Sequence, residues 1–170
     1  MKNTKKLVVV MSIVVIFTFQ NIFNTKTMKI ALGGDHAGFD LKVNVIKKLK
    51  AEGHEVKDFG PFSAESCDYP DYVHPLAQAV EKKEFDFGIV ICGSGNGVNM
   101  VANKYQGIRS GLCWEPSLAE MTRLHNDANV LAVPARYVSE ETGLAIVDAF
   151  VKTDFEGGRH NNRVNKIACK

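Results

Sequence analysis

A glycine-rich turn after an apolar run is the stretch of this sequence best suited to carry chemistry. The run Phe87–Cys92 has the length of a buried strand, and apolar periodicity resumes at Val98 after the turn. Glycine lets the backbone approach a ligand closely, and the N–H groups that open the following helix point at negative charge. The segment therefore predicts an anion site, formed by Gly93, Ser94, Gly95, Asn96 and Gly97.

Cys92 closes the apolar run, at the strand end where open α/β sheets place their ligands. A lone cysteine is commonly a small buried hydrophobe, and that alternative stays open. Because backbone donors and a helix start stabilise a thiolate, we predict that Cys92 acts as a base or a nucleophile. Ser94 either shapes the turn or points its hydroxyl into the same concavity.

Two further pairs of polar residues lie at the ends of a predicted strand and a predicted helix. Asp35 and His36 come after the first predicted strand, which places them at the same sheet edge as Cys92. Asp35 could equally cap the next helix. His125 and Asn126 end the helix before the last strand. His125 could simply be a cation at that helix C-terminus, so spacing alone leaves its role open.

The C-terminal region contains a group of basic residues. Arg159 and Arg163 are four residues apart, so on a helix they share a face and repel each other unless an anion lies there. Phosphate suits such a pair because guanidinium groups match its oxygens. His160 lies between the two arginines, and Arg136 follows the last predicted strand. A solvated basic face is the alternative, but together with Cys92 these cations predict a small phosphorylated substrate that is handled by proton transfer.

The elements that must position these residues alternate between strands and helices. Strands are predicted at residues 29–33, 55–59, 86–92, 107–109 and 129–133, each followed by a helix. Five such repeats predict a five-stranded parallel sheet with helices on both faces, a three-layer α/β sandwich of the Rossmann type. The tail around residues 157–166 predicts an additional short helix. Since this C-terminal arm has little apolar surface, we expect it to pack on a partner or over a site.

Composition fits one ordinary globular domain. The chain has 170 residues, of which 45% are hydrophobic and 24% charged. A net charge of +2, without a Lys/Arg-rich run beyond the N-terminus, argues against nucleic acid as a partner. The cysteines show neither C-x-x-C pairs nor metal-type spacing with histidine, which favours free thiols in a reducing compartment. They are Cys67, Cys92, Cys113 and Cys169.

Residues 1–27 differ from the rest of the chain. Lysines precede an apolar run at 7–19, which fits a signal peptide but is short for a membrane-spanning helix, and a small-x-small cleavage site is missing. Met28 opens the first strand as a start codon would. For residues 1–27 we favour an upstream-extended reading frame or a non-folding extension over an export or anchor segment. The domain then comprises residues 28–170, for which no membrane contact is expected.

Several motifs, in one order along the chain, resemble those of the ribose-5-phosphate isomerase B family. They are G-G-D-H-A-G-F at Gly33, D-Y-P at Asp68, I-C-G-S-G-N-G at Ile91, A-N-K at Ala102, G-I-R at Gly107, L-H-N-D-A-N-V-L-A at Leu124 and E-G-G-R-H-N-N-R-V at Glu156. The resemblance runs from Met28 to the C-terminus without a large gap, and the joint motifs make it specific. Related isomerases of allose 6-phosphate and galactose 6-phosphate share the fold and much of the pattern.

The resemblance implies an aldose–ketose isomerase of ribose 5-phosphate and ribulose 5-phosphate that needs no cofactor or metal. Cys92 matches the base, the turn amides with Ser94 match the oxyanion site, and His125 matches the acid that opens the sugar ring. Some family members use a glutamate two residues after the turn's asparagine, but Val98 stands there, which leaves Cys92. The implied sugar-hydroxyl contacts are Asp35 and Tyr69, and Asn126 is implied as an oxyanion or hydroxyl contact. The implied phosphate contacts are His36, Arg136, Arg159, His160 and Arg163.

The family also implies a homodimer, or a tetramer, with active sites shared between subunits, and a cytoplasmic enzyme because phosphorylated pentoses are intracellular. Two other classes fit less well. A dinucleotide-binding module is disfavoured because the turn follows the third strand and no acidic residue ends a further strand about twenty positions on. A cysteine-dependent phosphatase would need an arginine in the turn. A non-catalytic phospho-sugar-binding protein remains open.

Overall fold

The computed structural model describes residues 26–169, in which strands and helices alternate. The strands are β1 (Lys29–Gly34), β2 (Glu55–Asp58), β3 (Phe87–Cys92), β4 (Ser110–Leu112) and β5 (Val130–Pro134). The helices are α1 (Phe39–Ala51), α2 (Pro70–Glu81), α3 (Asn96–Ala102), α4 (Pro116–Asn126), α5 (Glu140–Lys152) and α6 (Arg159–Val164). A short 3₁₀ helix, His36–Gly38, joins β1 to α1.

The strands form one parallel sheet in the order β2-β1-β3-β5-β4. All residues of the central strand, β3, are buried, which suits a strand covered on both faces. Its end is in register with both neighbours, since Ile91 pairs with Gly34 of β1 and Cys92 with Pro134 of β5. The chain goes from β1 to β2 on one side and then to β3 on the other side of β1. The carboxyl ends of β1 and β3 therefore flank a switch point, where such sheets bind ligands.

Two apolar clusters pack helices against opposite faces of the sheet. Helices α1, α4 and α5 contribute to one cluster, and α2 and α3 to the other. Successive residues of β3 point to alternate faces, so Ile89 and Ile91 join the first cluster whereas Val90 and Cys92 join the second. The predicted three-layer sandwich with a five-stranded parallel sheet is confirmed.

The predicted position of the fourth strand is wrong. It was expected at residues 107–109, whereas the strand is Ser110–Leu112. At the predicted position, side chains bind the backbone: the N–H of Gly107 donates to Oε1 of Glu81, and its carbonyl accepts from Nδ2 of Asn129, both at 2.8 Å. Pairing with β5 therefore begins only in β4. The other four predicted strands begin and end within about one residue of the observed strands, inside the usual uncertainty of such boundaries.

The C-terminal tail forms the predicted short helix, α6, which contacts α4 of the same chain. His160 is the buried residue of α6, so the helix adds little to the apolar core, as expected. The extension predicted for residues 1–27 lies, up to residue 25, outside the described part of the chain. Within residues 26–169, no helix is long and apolar enough to cross a membrane.

Candidate active site

A cavity of about 340 Å³ opens at the carboxyl edge of the sheet, beside the ends of β1, β3 and β5. Its lining residues are Asp35, His36, Ala37, Tyr69, Cys92, Gly93, Ser94, Gly97 and Arg136. They come from the turn after β1, the start of α2, the glycine turn after β3 and the loop after β5. Every lining residue except Ala37 is one that the sequence analysis had singled out. The sheet thus brings together residues from distant parts of the chain.

Cys92 lies in the wall of this cavity and is 4% exposed. Its Sγ accepts a hydrogen bond of 3.0 Å from the backbone N–H of Gly95. Gly95 has a φ of +73°, where a residue with a Cβ is strained, and a Cβ there would collide with Leu112. Because Cys92 also belongs to the apolar cluster under α2 and α3, it is both a packed core residue and a cavity residue.

Main-chain hydrogen bonds tie the loops around the cavity to β3. They run from Asp35 N to Ile91 O at 3.0 Å, from Ala135 N to Cys92 O at 2.8 Å and from Arg136 N to Gly93 O at 3.1 Å. The turns after β1 and β5 are therefore fixed to the strand that ends in the cysteine. Since none of these bonds involves a side chain, the backbone forms the bottom of the cavity.

Asp35 and His36 hold the turn after β1 and also line the cavity. Oδ1 of Asp35 accepts hydrogen bonds from the N–H groups of Ala37 at 2.8 Å and Gly38 at 3.1 Å, so its capping role is confirmed. Nδ1 of His36 accepts a hydrogen bond from the N–H of Cys67 at 3.4 Å. A neutral His36 ring therefore carries its proton on Nε2.

The glycine turn and Arg136 form another side of the cavity. Ser94 is exposed, and its Oγ accepts a hydrogen bond from the N–H of Asn96 at 3.4 Å, so it shapes the turn as well as lining the cavity. Arg136 lies across Gly93, since a Cβ at that glycine would be 3.3 Å from both Cδ and Nε of the arginine. Gly95 and Asn96 belong to the turn but are not among the lining residues.

The ring of Tyr69 lies directly against the backbone of Gly97. A Cβ added at Gly97 would be 2.6 Å from Cζ and 2.8 Å from Oη of Tyr69, closer than real side chains approach. A side chain at position 97 would therefore push the tyrosine away from the turn. The two residues together set the shape of this side of the cavity.

The remaining predicted site residues form a second cluster at the ends of α4 and α6, and none of them lines the cavity. They are His125, Asn126, Arg159, His160 and Arg163. The imidazole rings of His125 and His160 are stacked, with centroids 4.4 Å apart and planes 7° apart. The side chain of His125 is 39% exposed, whereas His160 is 3% exposed. Within one chain the predicted site residues thus lie in two separate groups.

Glu156, to which the sequence analysis assigned no role, lies beside both histidines. Its Oε2 is 3.7 Å from Nε2 of His125 and 3.8 Å from Nε2 of His160. The N–H of Glu156 donates to the carbonyl of Leu124 at 3.1 Å, which holds the loop against the end of α4. In the sequence, the spacing of four residues between Glu156 and His160 was the available sign of a contact between them. However, an exposed glutamate before two glycines looks like an ordinary solvated residue.

His160 is surrounded by hydrogen-bond donors. Nε of Arg159 donates to its Nε2 at 3.4 Å, and Nη1 of Arg163 lies 3.5 Å from its Nδ1. Burial lowers the pKa of His160, and the nearby charge of His125 lowers it further. The charges of Arg159 and Arg163 act in the same direction, while Glu156 opposes them. His160 is therefore neutral near pH 7.

Among the described residues, His125, Glu156 and His160 form the group that could hold a metal ion, with ligand atoms within 4.8 Å of one another. The separations of 3.7 and 3.8 Å exceed the distance of about 3.4 Å between ligand atoms in a tetrahedral zinc site. Moreover, the ring planes are parallel, so their lone pairs do not converge on one point. The geometry fits two stacked histidines beside a carboxylate better than a metal site.

The sequence pattern of a protein family described as Ribose/Galactose Isomerase matches residues 30–167, which is most of the chain. The chain belongs to the ribose/galactose isomerase family. This assignment confirms the resemblance that the motifs indicated.

Individual members of the family are similar over nearly their whole length. Ribose-5-phosphate isomerase B of Escherichia coli strain K12 is 48% identical over 141 residues, which cover 83% of this chain and 95% of that protein. The structure of the Thermotoga maritima enzyme is 46% identical, with a TM-score of 0.82 over 84% of this chain and 99% of that one. The Mycoplasma genitalium enzyme, solved with bound ribulose-5-phosphate, is 39% identical, with a TM-score of 0.81 over 84% of this chain and 95% of that one.

Proposed function

We propose that this protein interconverts ribose 5-phosphate and ribulose 5-phosphate as an aldose–ketose isomerase. Relatives named ribose-5-phosphate isomerase B support the proposal, and one of them binds ribulose-5-phosphate. The observation that carries it is the position of Cys92, whose sulfur is held at the cavity by the amide of Gly95 at 3.0 Å. The thiol thereby lies beside a turn of backbone donors and the guanidinium of Arg136.

In the proposed reaction Cys92 is the base. Its thiolate takes the proton from carbon 2 of the open-chain aldose and returns it to carbon 1, while the hydroxyl proton of carbon 2 passes to the oxygen on carbon 1. The oxygen of the enediolate intermediate is stabilised by the turn amides and by Ser94. Asp35 and Tyr69 hold sugar hydroxyl groups. Since these groups supply the base and the oxyanion donors, the proposal includes no cofactor and no metal.

We propose further that the protein is a homodimer, or a tetramer built from dimers, in which each active site combines both groups of residues. The cavity of one subunit supplies Cys92. The other subunit supplies His125 for ring opening and Asn126 as an oxyanion or hydroxyl contact. His36 and Arg136 of the first subunit bind the phosphate, together with three residues of α6 from the other subunit. These are Arg159, His160 and Arg163. This arrangement accounts for the separation of the two groups within one chain and for the small apolar surface of α6.

The expected location follows from the substrate. We place the protein in the cytoplasm and in the non-oxidative pentose phosphate pathway because phosphorylated pentoses are intracellular metabolites. Residues 28–170 are the catalytic unit in this proposal, and residues 1–27 are an extension that the reaction does not need. A chain shortened to begin at Met28 should retain its melting temperature and its turnover.

The deciding experiment is to incubate the protein with ribose 5-phosphate and to follow the formation of ribulose 5-phosphate. Turnover distinguishes an isomerase from a phospho-sugar-binding protein, which would bind the sugar without converting it. Release of inorganic phosphate is measured in the same samples, since a cysteine-dependent phosphatase would produce it. Binding without isomerisation would overturn the proposal.

Hexose phosphates are the second candidate substrates, because the matched family includes galactose isomerases by its description. The sugar must span the distance between Cys92 and the phosphate-binding arginines, so an extra carbon misplaces either the phosphate or the reacting carbon. A misplacement of 1 Å can cost up to about a hundredfold in rate. We therefore expect kcat/KM to be higher for ribose 5-phosphate than for allose 6-phosphate or galactose 6-phosphate, measured on one preparation. A preference for a hexose would change the substrate but not the role of Cys92.

The contact between Tyr69 and Gly97 gives a prediction about the shape of the cavity. Replacing Gly97 by alanine should displace the tyrosine and lower kcat/KM by about tenfold, because small misplacements of binding groups are costly. Gly107→Ala is the matched control, since its Cβ would meet the flexible side chain of Glu81, with Cγ at 3.0 Å. Steady-state kinetics and thermal melting of both variants test this. Similar losses of activity in the two variants would contradict it.

A further inference from the structure

The stacked rings of His125 and His160 are too close for both to be cations. Their centroids are 4.4 Å apart, and two positive charges at that distance disfavour each other's protonated forms. We propose that Glu156 is a positioning residue for this pair: its carboxylate is the counter-ion that keeps one proton on the pair, and the surroundings of His160 direct that proton to His125. The inference rests on the proposed function, in which His125 is the acid that opens the sugar ring.

The surroundings of His160 exclude it as the protonated member. Guanidinium groups are donors only, and those of Arg159 and Arg163 lie 3.4 and 3.5 Å from the two ring nitrogens of His160. A protonated imidazole has no lone pair to offer either of them, whereas a neutral ring accepts one. Burial of His160, which is 3% exposed, opposes a charge in the same way. A proton on the pair is therefore placed on His125, which water and a substrate can reach.

Glu156 is the carboxylate in position to compensate that charge. Its Oε2 is 3.7 Å from Nε2 of His125, a distance suited to an ion pair rather than a direct hydrogen bond. The backbone bond from Glu156 to Leu124 fixes this placement. Asp127, the other acidic residue at this end of α4, is held by Arg109 and Arg123 at 2.9 Å each. The groups that face the pair from α6 are Arg159 and Arg163, and both are positive.

The proton on His125 matters for one step only. When the furanose ring of ribose 5-phosphate opens, the bond between carbon 1 and the ring oxygen breaks, that oxygen takes the proton of His125, and the hydroxyl of carbon 1 gives its own proton to water. Ribulose 5-phosphate has no such ring, because the hydroxyl that would close it carries the phosphate. Loss of the counter-ion should therefore slow turnover of the aldose and spare the formation of the enediolate from the ketose, which precedes ring closure.

The test replaces Glu156 by glutamine, which keeps the shape and removes the charge. We expect kcat/KM for ribose 5-phosphate to fall about tenfold near pH 8 and to recover towards pH 6, since acid restores the proton to His125. Exchange of a carbon 1 hydrogen of ribulose 5-phosphate with deuterated water should stay within about twofold, because the ketose forms the enediolate before any ring has to close. Glu120→Gln, an exposed carboxylate of α4, is the charge-matched control and should change neither value. An equal loss of this exchange, or a loss of turnover independent of pH, would overturn the proposal.

A measurement without substrate separates this inference from the proposed function. The ring signals of the two histidines are followed by NMR as the pH is lowered, with His125→Asn and His160→Asn variants used to assign them. In the unaltered protein the His125 signal should respond to acid at a higher pH than the His160 signal. In Glu156→Gln both responses should move to lower pH, because the lost carboxylate lies 3.7 Å from Nε2 of His125 and 3.8 Å from Nε2 of His160. If His160 responds first, or if the variant leaves both responses where they were, the inference is wrong whatever the substrate proves to be.

Discussion

Serine in place of Cys92 is expected to lower isomerisation by about 10²- to 10⁴-fold, the range attributed to a positioned general base. A hydroxyl is a much weaker base than a thiolate, so the proton of carbon 2 is no longer removed efficiently. Oxygen is close to sulfur in shape, and the amide of Gly95 can donate to it as it does to Sγ. The variant should therefore fold normally and still bind the sugar phosphate.

Three measurements distinguish a lost base from a lost fold. Turnover of ribose 5-phosphate gives the rate, exchange of the carbon 2 hydrogen with deuterated water reports proton abstraction alone, and thermal melting reports the fold. Cys169→Ser, at an exposed cysteine, is the control for replacement of a thiol and should behave like the unaltered protein. If Cys92→Ser retains turnover and exchange near the original rates, another group is the base.

Mixing two inactive variants should restore activity if the active site is shared between subunits. Cys92→Ala and Arg163→Ala each damage one of the two groups of residues, and both homodimers should be nearly inactive. In a mixed dimer, one site combines the intact cavity of one subunit with the intact α6 of the other. Random exchange gives half mixed dimers with one intact site each, so about a quarter of full activity should return.

The result depends on the exchange of subunits between dimers. The two variants therefore carry different tags, and mixed dimers are detected by the presence of both tags. The control is a mixture of Cys92→Ala with Cys92→Ser, which damage the same group and should stay inactive in any combination. Light scattering of the unaltered protein gives the oligomeric state. Full activity in a monomer, or no recovery in mixtures that contain mixed dimers, would show that one chain holds the complete site.

The sequence predicted the fold and the cavity well because both depend on local patterns. Apolar runs of strand length, glycine turns and helix periodicity identified the sheet, and a parallel sheet places the carboxyl ends of its strands at one edge. Asp35 and Arg136 were thus expected near Cys92, whereas Tyr69 was implied by the family resemblance. All three line the same cavity as Cys92.

The errors arose where side chains decide the structure. The loop at 107–109 has the composition of a short strand, but Glu81 and Asn129 bind its backbone instead. Glu156 was missed because its effect depends on the stacking of His125 and His160, which approach each other only after α4 and α6 pack. Neither contact follows from the spacing of residues along the chain.

The backbone ties around the cavity also bear on how this protein could change its substrate. The hydrogen bonds that fix the turns after β1 and β5 to β3 involve main-chain atoms alone, so they persist whatever side chains stand nearby. Substitutions at Tyr69 or Arg136 would therefore alter the size and charge of the cavity while Cys92 stays in place. If Cys92 stays in place while other residues that line the cavity are exchanged, an enzyme can acquire a new sugar without first losing its chemistry. Directed evolution towards longer sugar phosphates should accordingly begin at these lining residues.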